Sequence, residues 1–153
     1  MAEYCSEASL EAGEGVEASA ATGVKTWVAI ESREPWGAKA PADSGLPEPA
    51  IVFLKRVAPK GGSVRAQLLR RPDRVSGHLR VFVSHGGKVW TREWSKPHLM
   101  KWLDAFDPED LAEHDFVAVE EPVYLVCAHG KRDRCCAKFG LPLYAALEAA
   151  APG

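Results

Sequence analysis

The chain has 153 residues, 46% of them hydrophobic and 26% charged, with a net charge of −2. That length suits one domain, and the charge balance gives no reason to expect nucleic acid as a partner. No run approaches the ~18 apolar residues of a membrane span, and the N-terminus, with Glu3, Glu7 and Glu11 and no basic region, does not read as a secretory signal.

The expected compartment is therefore the cytoplasm, where clustered cysteines mean metal or redox chemistry more often than structural disulfides. Residues 1–23, rich in Ala, Glu, Gly and Ser, read as a mobile arm. One or two helical turns over Tyr4–Leu10 precede the breaks at Gly13 and Gly15. Cys5, within the arm, reads as a small hydrophobe rather than a redox group. Thr26–Glu31 is the first expected strand, being aromatic and β-branched. Pro35, Pro41, Pro47 and Pro49 make the next stretch a loop. Ala50–Ala58 fits a helix or a strand equally well, and Lys60-Gly61-Gly62 breaks it in the manner of a hairpin. Ser63–Arg71 alternates like a strand, and 72–77 is a turn.

Leu79–His85 and Lys88–Trp94 read as a hairpin about Gly86-Gly87, with Trp90 and Trp94 on one face. Ser95 as N-cap and Pro97 in the first turn open an amphipathic helix over 96–106. Its apolar positions are Leu99, Met100, Trp102, Leu103 and Phe106. Asp107–Asp110 ends that helix and caps a short second one reaching Glu113. Residues 24–120 are thus expected to form an α+β layer. Val123–Val126 then reads as a short buried strand, followed by a turn at Gly130. A helical stretch, 137–150, comes last, with Gly140 and Pro142 bending or restarting it.

Three of the four cysteines, Cys127, Cys135 and Cys136, fall within ten residues after that expected strand. A Cys at a strand end, beside a helix N-terminus and near Lys131, Arg132 and Arg134, is placed for thiolate chemistry. It suits either a soft metal or a nucleophile. As a metal pair, Cys127 and Cys136 have eight residues between them, unlike the Cys-x-x-Cys of a zinc knuckle. His129 is the nearest other ligand type, and as such competes with a role as a turn residue. As a nucleophile, Cys127-x-x-Gly130-x-Arg132 resembles a rhodanese-like sulfurtransferase loop. A tyrosine-phosphatase pattern is disfavoured, because Asp133 stands where an Arg is needed. A third reading is a structural β-turn-α unit without metal, with Cys127 buried and Asp133 as an N-cap.

Leu125-Val126-Cys127-Ala128-His129-Gly130-Lys131-Arg132-Asp133-Arg134-Cys135-Cys136-Ala137, followed by Phe139-Gly140-Leu141-Pro142-Leu143, closely resembles the sucrase/ferredoxin-like family of thioredoxin-like [2Fe-2S] ferredoxins. Tyr4-Cys5-Ser6, Trp27–Glu31 and Pro35-Trp36-Gly37 resemble that family's earlier segments more loosely. The resemblance implies electron transfer through a [2Fe-2S] cluster with two Cys and two His ligands. It makes Cys127 and Cys136 the metal ligands. Cys135 becomes a neighbour, and His129, Gly130, Arg132 and Asp133 become turn-forming or supporting residues. The family's His-x-x-x-His segment has no match among the five histidines here. Residues 121–153 are therefore expected to be the incomplete start of a thioredoxin-like domain, the N-terminal half of a longer protein. An electron carrier is expected rather than an enzyme, with an unknown redox partner, a homodimer as one possible assembly, and neither nucleic acid nor membrane. Despite the family's name, no carboxylate pair with a defined spacing points to sugar hydrolysis.

Overall fold

Thr26–Glu31 carries the β-branched and apolar residues of a strand buried on both faces, and it lies inside a sheet as β1, between two neighbours. The computed structural model describes residues 4–15, 23–57, 62–71 and 77–150. Cα packing divides the chain into two units: residues 22–123, and residues 1–21 together with 124–153. The N-terminal segment, expected as a separate arm, groups with the C-terminal segment.

The 22–123 unit is an α+β layer with a five-stranded mixed sheet of order β2-β1-β3-β4-β5. The strands are β1, β2 (Val64–Leu69), β3 (Leu79–His85), β4 (Lys88–Trp94) and β5 (Val117–Val119). β1 and β2 run parallel, so a crossover must join them. It is α2 (Glu48–Val57), which resolves the ambiguous Ala50–Ala58 stretch in favour of a helix. Ala50, Phe53 and Leu54 recur at helical spacing and are buried. The other neighbours pair antiparallel, and β3 turns into β4 at Gly86 and Gly87. Both glycines have positive φ, 59° and 75°, as a two-residue hairpin of this twist requires.

The expected helix over 96–106 is α3 (Lys96–Asp104), and the short helix after it is a 3₁₀ turn over Leu111–His114. Ser95 is the N-cap residue of α3, but its hydroxyl meets His98 Nδ1 at 2.8 Å instead of a backbone N–H. The core joins Val28, Ile30, Val81 and Val83 of the sheet to α2 and α3. Trp102 is its aromatic hub, 4.9 Å from Trp94 and 5.2 Å from each of Phe106 and Phe116 between ring centroids. The carboxylate of Glu31 is buried, and accepts the Arg80 backbone N–H at 2.8 Å.

In the other unit, α1 (Cys5–Glu11) and α4 (Arg134–Ala150) are the helices among the described residues. The buried strand expected at Val123–Val126 does not form: 122–129 has no regular structure, and Tyr124 and Leu125 are 65% and 52% exposed. An apolar run makes a strand only where another strand pairs with its backbone, and none does so here among the described residues. Nor do Gly140 and Pro142 interrupt the last helix, which runs through both for 17 residues. Most of the expected break at 60–62 and turn at 72–77, and all of Pro152-Gly153, lie outside the described residues. Among the described residues, no helix is long and apolar enough to cross a membrane.

Candidate thiol and metal centre

The start of α4 is set by a tight turn. The His129 carbonyl accepts the N–H groups of Arg132 and Asp133, both at 3.2 Å. Asp133 Oδ1 then accepts the Cys135 N–H at 3.3 Å, as an N-cap side chain does. Two glycines let the turn fold back on the helix. A Cβ at Gly140 would overlap the Cys127 carbonyl oxygen, and one at Gly130 would crowd the Ala137 Cβ. The helix therefore packs directly on the Cys127 backbone, for want of side-chain volume at one position.

This fold-back brings Cys127 and Cys136, with eight residues between them, onto one groove, near enough for their thiols to interact. Cys127 is exposed, where a purely structural turn would have buried it. The Cys136 thiol is pushed up from an ordinary 9.0 to about 12, first by its hydrogen bond with Cys127 and then by burial. The charges of Cys127, Cys135 and Asp133 add to this. A second negative charge in this place is costly unless a cation accompanies it. A groove of about 410 Å³ opens beside the pair, lined by Tyr124, Leu125, Phe139, Leu143 and Leu147.

A second group of ligand atoms was not legible in the sequence. Cys5 Sγ lies 3.0 Å from Cys135 Sγ and 3.4 Å from Asp133 Oδ2, and the Cys135 thiol donates to Asp133 Oδ1 at 3.1 Å. Cys5, Asp133 and Cys135 keep their ligand atoms within 4.8 Å of one another. Cys5 is thus exposed and engaged with two partners, not an isolated small hydrophobe. The Cys5 thiol is pushed up to about 11, first by its hydrogen bond to Cys135 and then by the one to Asp133. The same thiol contacts hold the Asp133 carboxyl below its usual range, that with Cys135 contributing most.

α1 is held on α4 by more than sulfur. The Tyr4 ring meets Phe139 edge-on at 5.8 Å, Lys138 Nζ lies 3.9 Å above Tyr4, and Lys138 pairs with Glu7 at 3.7 Å. No local spacing could have announced this, since the thiol partners are 130 positions apart. The resemblance of Tyr4-Cys5-Ser6 was the one available signal.

Among the described residues, no third Cys, His, Asp or Glu ligand atom joins Cys127 and Cys136 within that 4.8 Å radius. Other histidines have partners in the 22–123 unit. His85 Nδ1 meets Thr26 Oγ1 at 2.7 Å and His85 Nε2 meets Glu109 at 3.0 Å, while His98 bonds Ser95. Arg132 and Lys131 are exposed on the turn. No family model, curated protein or solved structure matches this chain.

Proposed function

We propose that this chain carries electrons as a sucrase/ferredoxin-like protein, with Cys127 and Cys136 as two protein ligands of a [2Fe-2S] cluster. One observation carries the reading: two cysteines nine positions apart in the chain line one groove, near enough for their thiols to interact. The donor chemistry fits, because such irons take thiolates. The site supplies two of the four ligands, and a group of this kind would add one-electron storage, at a raised potential where histidines complete it.

The chain's own residues have definable roles. Cys127 and Cys136 bind as thiolates, so loading releases the proton that Cys136 holds in the metal-free chain. Gly130 and Gly140 keep the turn closed on α4. Lys131, Arg132 and Arg134 offset the negative charge that two thiolates bring. A second copy of the chain, bringing its own Cys127 and Cys136, is one source of the remaining ligands. A reducing, cytoplasmic setting and an unidentified redox partner belong to the same reading.

The test is anaerobic purification and reconstitution with iron and sulfide, followed by iron and sulfide analysis and a visible spectrum. Two irons per chain mean a complete centre in each chain, and one iron per chain means a centre shared by two. Either is lost in Cys127→Ala and in Cys136→Ala. A chain that stays colourless and iron-free after reconstitution refutes the proposal. Activity that needs Cys127 but neither Cys136 nor iron would instead favour a thiolate enzyme.

A further inference from the structure

We propose that Cys5, Cys135 and Asp133 form a second, separate site for a single thiophilic divalent cation of the Zn²⁺ class. It does not depend on the iron–sulfur reading, which uses the other two cysteines. The three ligand atoms already stand close to the edges of a coordination tetrahedron. Bonds of ~2.3 Å to sulfur and ~2.0 Å to oxygen place two sulfurs roughly 3.8 Å apart, and a sulfur and an oxygen roughly 3.5 Å apart. With Asp133 Oδ1 as the oxygen, the observed separations are 3.1 Å to Cys135 Sγ and 3.6 Å to Cys5 Sγ, and the sulfur–sulfur separation is 3.0 Å. A small rotation of the exposed Cys5 side chain opens the last of these.

The donor set selects the ion. Two thiolates favour zinc-like and softer cations over magnesium or calcium, which take oxygen ligands. The site is also preorganised. Asp133 is oriented by the Cys135 N–H at 3.3 Å. Cys5 is brought to it by the Tyr4–Phe139 and Glu7–Lys138 contacts, which involve no sulfur. An N-cap role accounts for Asp133, and burial accounts for Cys135. Neither accounts for an exposed thiol, delivered from 130 positions away, against both of them. Three protein ligands leave a fourth position for water or an external ligand. Binding there ties α1 to the first turn of α4, so the cation stabilises this unit by mass action.

The test is titration of the reduced, full-length Cys127→Ser/Cys136→Ser chain with Co²⁺ under anaerobic conditions, followed by competition with Zn²⁺. One equivalent is expected, with sulfur-to-cobalt charge transfer and tetrahedral visible bands that Zn²⁺ abolishes. Cys5→Ser should weaken binding by at least about 100-fold, beyond the 10–100-fold typical of losing a supporting partner. Asp133→Asn should weaken it while keeping both sulfur bands. Cys5→His should retain the tetrahedral bands with about half the charge-transfer intensity, as expected when imidazole replaces one of two thiolates. In the chain that keeps all its other cysteines, Cys5→Ser should lower cobalt uptake by one equivalent, a readout independent of how the double variant folds. The site is refuted by the absence of tetrahedral bands in the double variant, or by binding that Cys5→Ser leaves unchanged.

Discussion

Gly140 sits inside α4, where exchange for alanine would ordinarily help. An interior Gly→Ala change gains about 0.8–1 kcal/mol of helix stability. Here the added Cβ would overlap the Cys127 carbonyl oxygen, and would come within 3.0 Å of its carbon and 3.4 Å of Ala128 Cα. All three are backbone atoms, so no side chain can rotate away. Overpacking costs about 1–3 kcal/mol, and against backbone the upper part of that range, about 2–3 kcal/mol, applies, so the net expectation for Gly140→Ala is a loss of about 1–2 kcal/mol. The two units can be followed separately, because all five tryptophans lie in residues 22–123 and all three tyrosines lie in the other unit. Urea unfolding of the reduced, metal-free chain should show an earlier transition in the tyrosine near-ultraviolet signal, with tryptophan fluorescence unchanged. Iron uptake by reconstitution should fall with it. A variant whose tyrosine-reported transition is as stable as wild type, or more so, would refute the claim that the missing side chain holds the turn closed.

The thiols of Cys5 and Cys136 keep their protons to about 11 and about 12 in the folded, metal-free chain, against an ordinary 9.0. The unfolded chain loses these protons first, so their contribution is fully present below pH 9 and is lost as pH rises from there through the folded values. The tyrosine-reported urea midpoint should therefore drop between about pH 8 and about pH 10.5, and drop less in Cys5→Ser; equal midpoints would contradict this. Pro142 lies inside α4, where proline costs an intrahelical hydrogen bond, so Pro142→Ala should stabilise that unit by about 1–3 kcal/mol in the same assay. Trp102→Ala removes the aromatic hub between Trp94, Phe106 and Phe116. It should destabilise the 22–123 unit by about 3–5 kcal/mol, seen in the fluorescence of the remaining tryptophans.

Much of the sheet was legible because strand period and turn chemistry are local. β1, β3 and β4 and the Gly86-Gly87 turn could be read from alternation and from two glycines. The amphipathic α3 was equally plain. α2 was not, because an apolar stretch of nine residues fits either period. Its part as the crossover between parallel β1 and β2 depends on a pairing that no turn encodes. The strand expected at Val123–Val126 failed for a related reason: apolar content says what prefers burial, but not whether a backbone partner exists. At the candidate site, the closeness of Cys127 and Cys136 was suggested by the turn residues between them. Cys5 was missed because its position is fixed by Tyr4, Glu7, Phe139 and Lys138, a contact between opposite ends of the chain.

That end-to-end contact has a consequence during synthesis. α1 leaves the ribosome about 120 residues before the start of α4. At about 5–20 residues per second it waits roughly 6–25 seconds for its partner. A seven-residue helix does not persist alone in water, so the nascent segment is unstructured in that interval, with the Cys5 thiol open to any oxidant or electrophile. The 22–123 segment is complete before α4 appears, and can fold meanwhile. If it does, α1 is captured by α4 only after the intervening unit has formed. A modification acquired by Cys5 in those seconds would then act on whether this unit closes, rather than on how the finished protein works.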